Sequence, residues 1–228
     1  MSRYEKKAGS WVYEELRSRI ENLIYLPGQE LQLDGLSQEL GVSRSPVRDA
    51  ILRLERDRLV DIFPQKGTRV AYLDRETILQ ERFLRATLEE EVFAQFLSRP
   101  ATEKEKLVSL AKLEGILIQQ NTAALTSDEV AFLAHDIAFH KVFYDEIGYE
   151  RIYKVVQAHT GNEHRVRLLN MRVASVMENV YQEHRKMVDA IRKEDDKTAM
   201  ELLSGHFGKL TDELDQLAEV FPAYFLTE

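Results

Sequence analysis

Between residues 11 and 24 the apolar positions Trp11, Val12, Leu16, Ile20 and Leu23 recur at helical spacing, and Pro27-Gly28 then interrupts the chain. This predicts a first helix and its stop. Residues 36–40 predict a short second helix broken at Gly41. Ser43 stands where it can cap a third helix running through Leu59, with Val47, Ile51 and Leu54 on one face. From Val60 the period changes to that of strands. Segments 60–63 and 68–72 flank Pro64-Gln65-Lys66-Gly67, which predicts a β-hairpin with glycine near its tip. Helix, helix, turn, helix and hairpin in this order predict a winged helix-turn-helix domain over residues 1–73.

From Asp74 onward every period is helical. Six helices are predicted, over 75–98, 102–121, 127–147, 149–169, 172–193 and 196–219. The fold class is therefore mainly α: a winged helix-turn-helix followed by an all-α antiparallel bundle over residues 74–228.

Composition agrees with a helix-rich globular chain: 44% hydrophobic and 31% charged residues, with only 10 glycines and 5 prolines. The absence of cysteine excludes disulfides, thiolate metal sites and cysteine nucleophiles. Charges run through the first helix, and no apolar stretch approaches the ~18 residues of a membrane span, so a cytoplasmic protein without a membrane partner is expected. The net charge of −8 hides an asymmetry. Residues 1–73 hold 12 Lys/Arg against 11 Asp/Glu, whereas residues 74–228 hold 19 against 28. Within 41–69 there are seven basic residues against four acidic ones. A locally basic segment on an acidic chain points to two halves with different partners.

A helix that enters the major groove needs base-reading donors in its first turn. Arg44 and Arg48 are four apart on one face of the third helix, flanked by Ser43 and Ser45. Spacing alone fits a solvated basic helix equally well; the preceding turn glycine and the following Lys66-Gly67 wing favour DNA. Residues 36–70, LSQELGVSRSPVRDAILRLERDRLVDIFPQKGTRV, resemble the DNA-binding signature of the GntR superfamily of bacterial transcription regulators. The resemblance implies that Ser43, Arg44, Ser45 and Arg48 contact an operator and that Gly67 lets the wing approach the minor groove. The mechanism expected is that two chains pair as a homodimer and their recognition helices read a short palindrome of double-stranded DNA in adjacent major grooves. Where some members carry an arginine before the turn, this chain has Asp34, so that contact is not expected.

All six histidines follow residue 134. Asp136 and His140 lie four apart within an apolar stripe that also holds Phe132, Phe139 and Phe143. His184 shares a stripe with Val180, Met187, Val188 and Ile191, and His206 one with Ala199, Leu202, Leu203, Leu210 and Leu217. His184 and His206 are each 11 residues from Asp195, the centre of a predicted hairpin turn, so antiparallel packing brings them level. Burying a carboxylate and three imidazoles costs several kcal/mol unless something satisfies them. A divalent transition metal does so, with zinc foremost and nickel, manganese and iron chemically admissible. For each histidine alone, a hydrogen-bonded core imidazole is the alternative. His135, His159 and His164 have no chelating pattern.

Asp136-x3-His140, His184 and His206 also resemble the metal-binding arrangement of the FCD effector domain of FadR-subfamily GntR regulators, in the six-helix, VanR-like form. That resemblance implies a small carboxylic acid as effector and repression relieved by it. Arg85 shares a face with Ile78, Leu88, Val92 and Phe96, so its guanidinium points inward, either to Glu89 one turn on or to an anion. The resemblance favours the effector carboxylate. Arg82 is a second candidate.

A metal-dependent enzyme with an appended helix-turn-helix domain is the competing class. Neither an HExxH motif nor a nucleophile elbow occurs, and no general base is placed near the four ligands. A regulator without enzymatic activity is expected.

Overall fold

The computed structural model describes residues 3–226, with side chains described for 10–209 and 213–226. Leu210 of the predicted stripe lies outside the described side chains. The chain divides into two compact units: Met1–Ile78 with Gly161–Val166 and Ala218–Glu228, and Leu79–Thr160 with Arg167–Leu217.

In the first unit α1 (Arg3–Glu21), α2 (Leu33–Glu39) and α3 (Arg44–Arg56) precede the hairpin of β2 (Val60–Phe63) and β3 (Gly67–Val70). The stripe of α1 buries Val12, Leu16 and Ile20 against Val47, Ala50, Ile51 and Leu54 of α3, while Trp11 stays 50% exposed. β2 and β3 pair antiparallel from Val60↔Val70 to Phe63↔Gly67. A strand absent from the sequence expectation, β1 (Glu30–Leu31), pairs with the outer edge of β3 and gives a three-stranded sheet ordered β1-β3-β2. Two residues are too few to display a period. Near the chain end, Leu226 N donates to Leu73 O at 3.0 Å and Leu73 N to Tyr224 O at 2.8 Å.

In the second unit, α5 (Glu103–Leu125) packs against α6 (Glu129–Glu146) and α9 (Val176–Arg192), with α4 (Arg75–Ser98), α7 (Glu150–Ala158) and α10 (Asp196–Val220) completing the bundle. Phe93, Phe96, Phe139, Phe143, Met187, Leu203 and Phe207 form its core. α5 starts on a capping box in which Thr102 and Glu105 satisfy each other's backbone N–H groups. It also continues to Leu125, four residues beyond the expected end at 121.

The single helix expected over 149–169 is a correction: it is two, α7 and α8 (Gly161–Met171), so seven helices rather than six follow Asp74 among the described residues. The division falls at His159-Thr160, where Thr160 Oγ1 turns back to Val156 O at 2.9 Å. A Cβ on Gly161 would sit 3.0 Å from Glu21 Oε1 and 3.1 Å from Leu59 Cδ2, so a larger residue here would press on the ends of these two side chains. Tertiary approach of this kind leaves no local periodicity to read. No described helix is long and apolar enough to cross a membrane.

Candidate functional site

Four predicted side chains meet inside the bundle. One ligand atom each from Asp136, His140, His184 and His206 lies within 4.8 Å of all the others. α6 contributes the first two, one turn apart, and the α9–α10 hairpin supplies the histidines at a common level. The imidazole centroids form a near-equilateral triangle with sides of 5.2, 5.4 and 5.0 Å. Behind it, the His184 ring stacks on Phe139 at 4.0 Å.

Each Nδ1 faces an oxygen outside the cluster. His140 Nδ1 lies 2.8 Å from Glu89 Oε2, His184 Nδ1 3.0 Å from Gln120 Oε1, and His206 Nδ1 2.8 Å from Glu183 Oε2. With protons assigned to the Nδ1 atoms, the Nε2 lone pairs are left for a ligand, the tautomer that metal-binding histidines adopt. The Nε2 atoms of His140 and His184 are buried without a hydrogen-bond partner among the described residues; so is His140 Nδ1, which is close to Glu89 Oε2 but not aligned for a hydrogen bond. His184 Nε2 stands 3.6 Å from Asp136 Oδ1. Two orphaned lone pairs beside a carboxylate are the donor set a divalent cation requires, so the residues fit such an ion.

Protonation favours the same state. Burial pushes His206 down to about 4, against the pull of Glu183, and lowers His140 and His184 as well. Burial alone would raise Glu183, but hydrogen bonds from His206 and Lys209 outweigh it and hold the carboxyl below its usual range. The cluster is ready for a metal at neutral pH without first losing protons.

A cavity of about 90 Å³ opens on the cluster, lined by Arg82, Arg85, Asp136, Arg167, Glu183 and His206 among others. Arg85, 2% exposed, donates from Nε to Glu89 Oε1 at 2.8 Å and also lines the cavity. Arg82 Nε donates to Phe207 O at 3.1 Å. Arg167, on α8, was not singled out from the sequence, yet it pairs with Asp136 Oδ2. Gln120 and its bond to His184 were equally unmarked. Helical periodicity locates a face, whereas these partners depend on side chains reaching across helices remote in sequence. His135, His159 and His164 lie outside the cluster.

On the first unit, Ser43, Arg44, Ser45 and Arg48 are exposed at the start of α3. Ser43 occupies the N-cap position but makes no side-chain capping bond there. Lys66 and Gly67 are exposed at the hairpin tip, and Gly67 has φ +105°, a left-handed conformation that favours glycine. Arg44 forms an ion pair with Asp34.

Residues 9–70 match the gntR family of bacterial regulatory proteins, and residues 82–209 match the FCD domain. The chain belongs to the GntR family and carries an FCD domain. This GntR regulator is 27% identical over 217 residues to an HTH-type transcriptional regulator from an unstable DNA locus of Streptomyces ambofaciens, covering 95% of this chain and 89% of that one. To the repressor RspR of Escherichia coli K12 it is 24% identical, covering 95% and 93%. Its fold matches a GntR transcriptional regulator of Rhodococcus sp. RHA1 with a TM-score of 0.73 at 21% identity, over 95% and 98% of the chains.

Proposed function

We propose that this GntR regulator is a repressor whose operator affinity is set by a small organic acid bound beside a divalent transition metal. In this reading residues 1–73 read DNA and residues 74–228 sense the acid. Two chains pair, and their α3 helices read a palindrome in successive major grooves through Ser43, Arg44, Ser45 and Arg48, with Lys66 and Gly67 of the wing at the minor groove. Similarity to a relative named as a repressor supports the sign of the response.

The observation that carries the reading is the convergence of the four ligand atoms next to an arginine-lined cavity. Asp136, His140, His184 and His206 would hold the ion, with zinc foremost and nickel, manganese and iron admissible. Bound there, the ion would supply a Lewis-acidic partner for a carboxylate. At roughly 10–15 Å³ per water-sized occupant, a 90 Å³ cavity has room for an acid of a few heavy atoms. Arg85 would orient its carboxylate through the part of the guanidinium that faces the cavity. An acid that binds the DNA-free state more tightly shifts the population away from DNA by its difference in affinity.

The test is operator binding by fluorescence anisotropy, with metal-loaded protein and a panel of mono-, di- and hydroxycarboxylic acids. At least one acid should weaken operator binding by roughly 5- to 150-fold, and Arg85→Gln should require a higher concentration of it. Operator binding that no acid shifts would make the chain a constitutive DNA binder and contradict the reading. Turnover of the acids would favour the enzyme class instead.

A further inference from the structure

Two of the exposed arginines of the recognition helix, Arg44 and Arg48 near its start, are in different states. Arg44 is held: its Nε lies 2.5 Å from Asp34 Oδ1 and its Nη2 donates to Asp34 Oδ2 at 2.8 Å. Arg48, one turn further on, makes no ion pair or hydrogen bond among the described residues. The side chains of Arg44 and Asp34 are 70% and 60% exposed. A pair this open to water contributes little to folding. Stability therefore does not explain an acid on a surface that must approach phosphates, where its charge opposes binding.

We infer that Asp34 is a positioning residue for DNA reading, which holds one edge of the Arg44 guanidinium so that the opposite edge is presented to a guanine. The guanidinium has five N–H donors in a rigid plane. The carboxylate occupies the Nε and Nη2 donors along one side. That leaves the parallel pair at the end, one N–H from Nη1 and one from Nη2, and this fork matches guanine O6 and N7 in the major groove. Fixing the long side chain beforehand removes part of the ordering cost of binding. The carboxylate also penalises registers in which Arg44 swings to a phosphate, because Asp34 would then face the backbone uncompensated. Specificity frequently rests on such a repulsive element. Arg48, untethered, adapts to whichever base or phosphate it meets. The inference rests on the proposed role of Arg44 at the operator.

A randomised duplex library is the probe. Wild type, Arg44→Ala, Asp34→Ala and the double variant are each incubated with it, the bound fractions sequenced, and dissociation constants measured on the selected duplex and on its single-base substitutions. Thermal unfolding of each variant confirms that the winged helix is intact. Wild type should select a guanine at one position of the site, and Arg44→Ala should lose it. Asp34→Ala should relax discrimination at that position by roughly 10-fold and leave the other positions unchanged. In the Arg44→Ala background, removing Asp34 should change nothing at that position. A guanine preference that Arg44→Ala removes and Asp34→Ala leaves intact would overturn the positioning role alone. Relaxation spread evenly over all positions would overturn it too, as the mark of general repulsion. A wild-type motif that Arg44→Ala leaves unchanged would overturn the assignment of Arg44 itself.

Discussion

Replacing Arg44 and Arg48 together by alanine should reduce operator binding to the level of unrelated duplex DNA while leaving the fold intact. Both side chains are exposed at the start of α3, and neither belongs to the core formed by Val47, Ala50, Ile51 and Leu54. Their loss should change folding stability by no more than about 0.5 kcal/mol. Each arginine that reads a base contributes ~1–3 kcal/mol of discrimination. In the proposed dimer four such side chains are lost, which suffices to remove a specific over non-specific ratio of roughly 10³-fold if each reads a base. Operator titrations at several salt concentrations check this, with circular dichroism as the control for folding. Sequence-specific binding retained by the double variant would exclude the first turn of α3 as the reading element.

Chelator-treated protein should lose stability as the pH falls from neutrality toward 4. The sign follows from the direction of the shifts. Burial holds His206 at about 4 in the folded chain, below its ordinary 6.5, and lowers His140 and His184 too. Below 6.5 the unfolded chain therefore binds protons that the folded chain refuses, and acidification favours unfolding. For His206 alone the loss reaches about 3 kcal/mol once the pH is below its folded value. Glu89 and Glu183, both held below the usual carboxylate range, act in the same direction, because their stabilisation is present above the unfolded value and lost as the pH falls through the folded one. Urea midpoints at pH 7 and pH 4.5 check the prediction. At pH 7, added metal should stabilise the chelated protein by roughly 4 kcal/mol at a thousand times its dissociation constant. Equal midpoints at the two pH values would show that the imidazoles are not buried as neutral groups.

The four cluster residues were legible because each is a polar ligand type at a position where helical periodicity demands an apolar one. The equal separation of His184 and His206 from Asp195 set their level, and the α9–α10 hairpin turns between Arg192 and Asp196 as that symmetry requires. The winged helix was legible through its punctuation at Gly41 and Gly67. What lay beyond reach depends on contacts between distant segments. The end of α7 at Ala158 and the restart of α8 at Gly161, where the tips of the Glu21 and Leu59 side chains come close, leave no local period to read, and β1 is recognisable only by its pairing with β3. The partners around the cluster are similarly silent. Gln120 sits on a helix with many exposed polar residues and Arg167 on one whose residues are nearly all buried, and nothing local marks either as the side chain that reaches His184 or Asp136. Asp34 was visible as a departure from the family pattern, but its pairing with Arg44 required the packing of α2 beside α3.

Metal content is the most direct test of the central claim, that these four side chains form a metal site on which effector sensing depends. Untagged wild type should carry about one divalent transition metal per chain by elemental analysis, as expected for a single cluster of nitrogen and oxygen ligands. Both His184→Ala and His206→Ala should lose it while remaining helical. Wild type that stays folded and takes up no zinc, nickel, manganese or iron when each is offered would contradict the claim, and would leave His140, His184 and His206 as core imidazoles held by Glu89, Gln120 and Glu183.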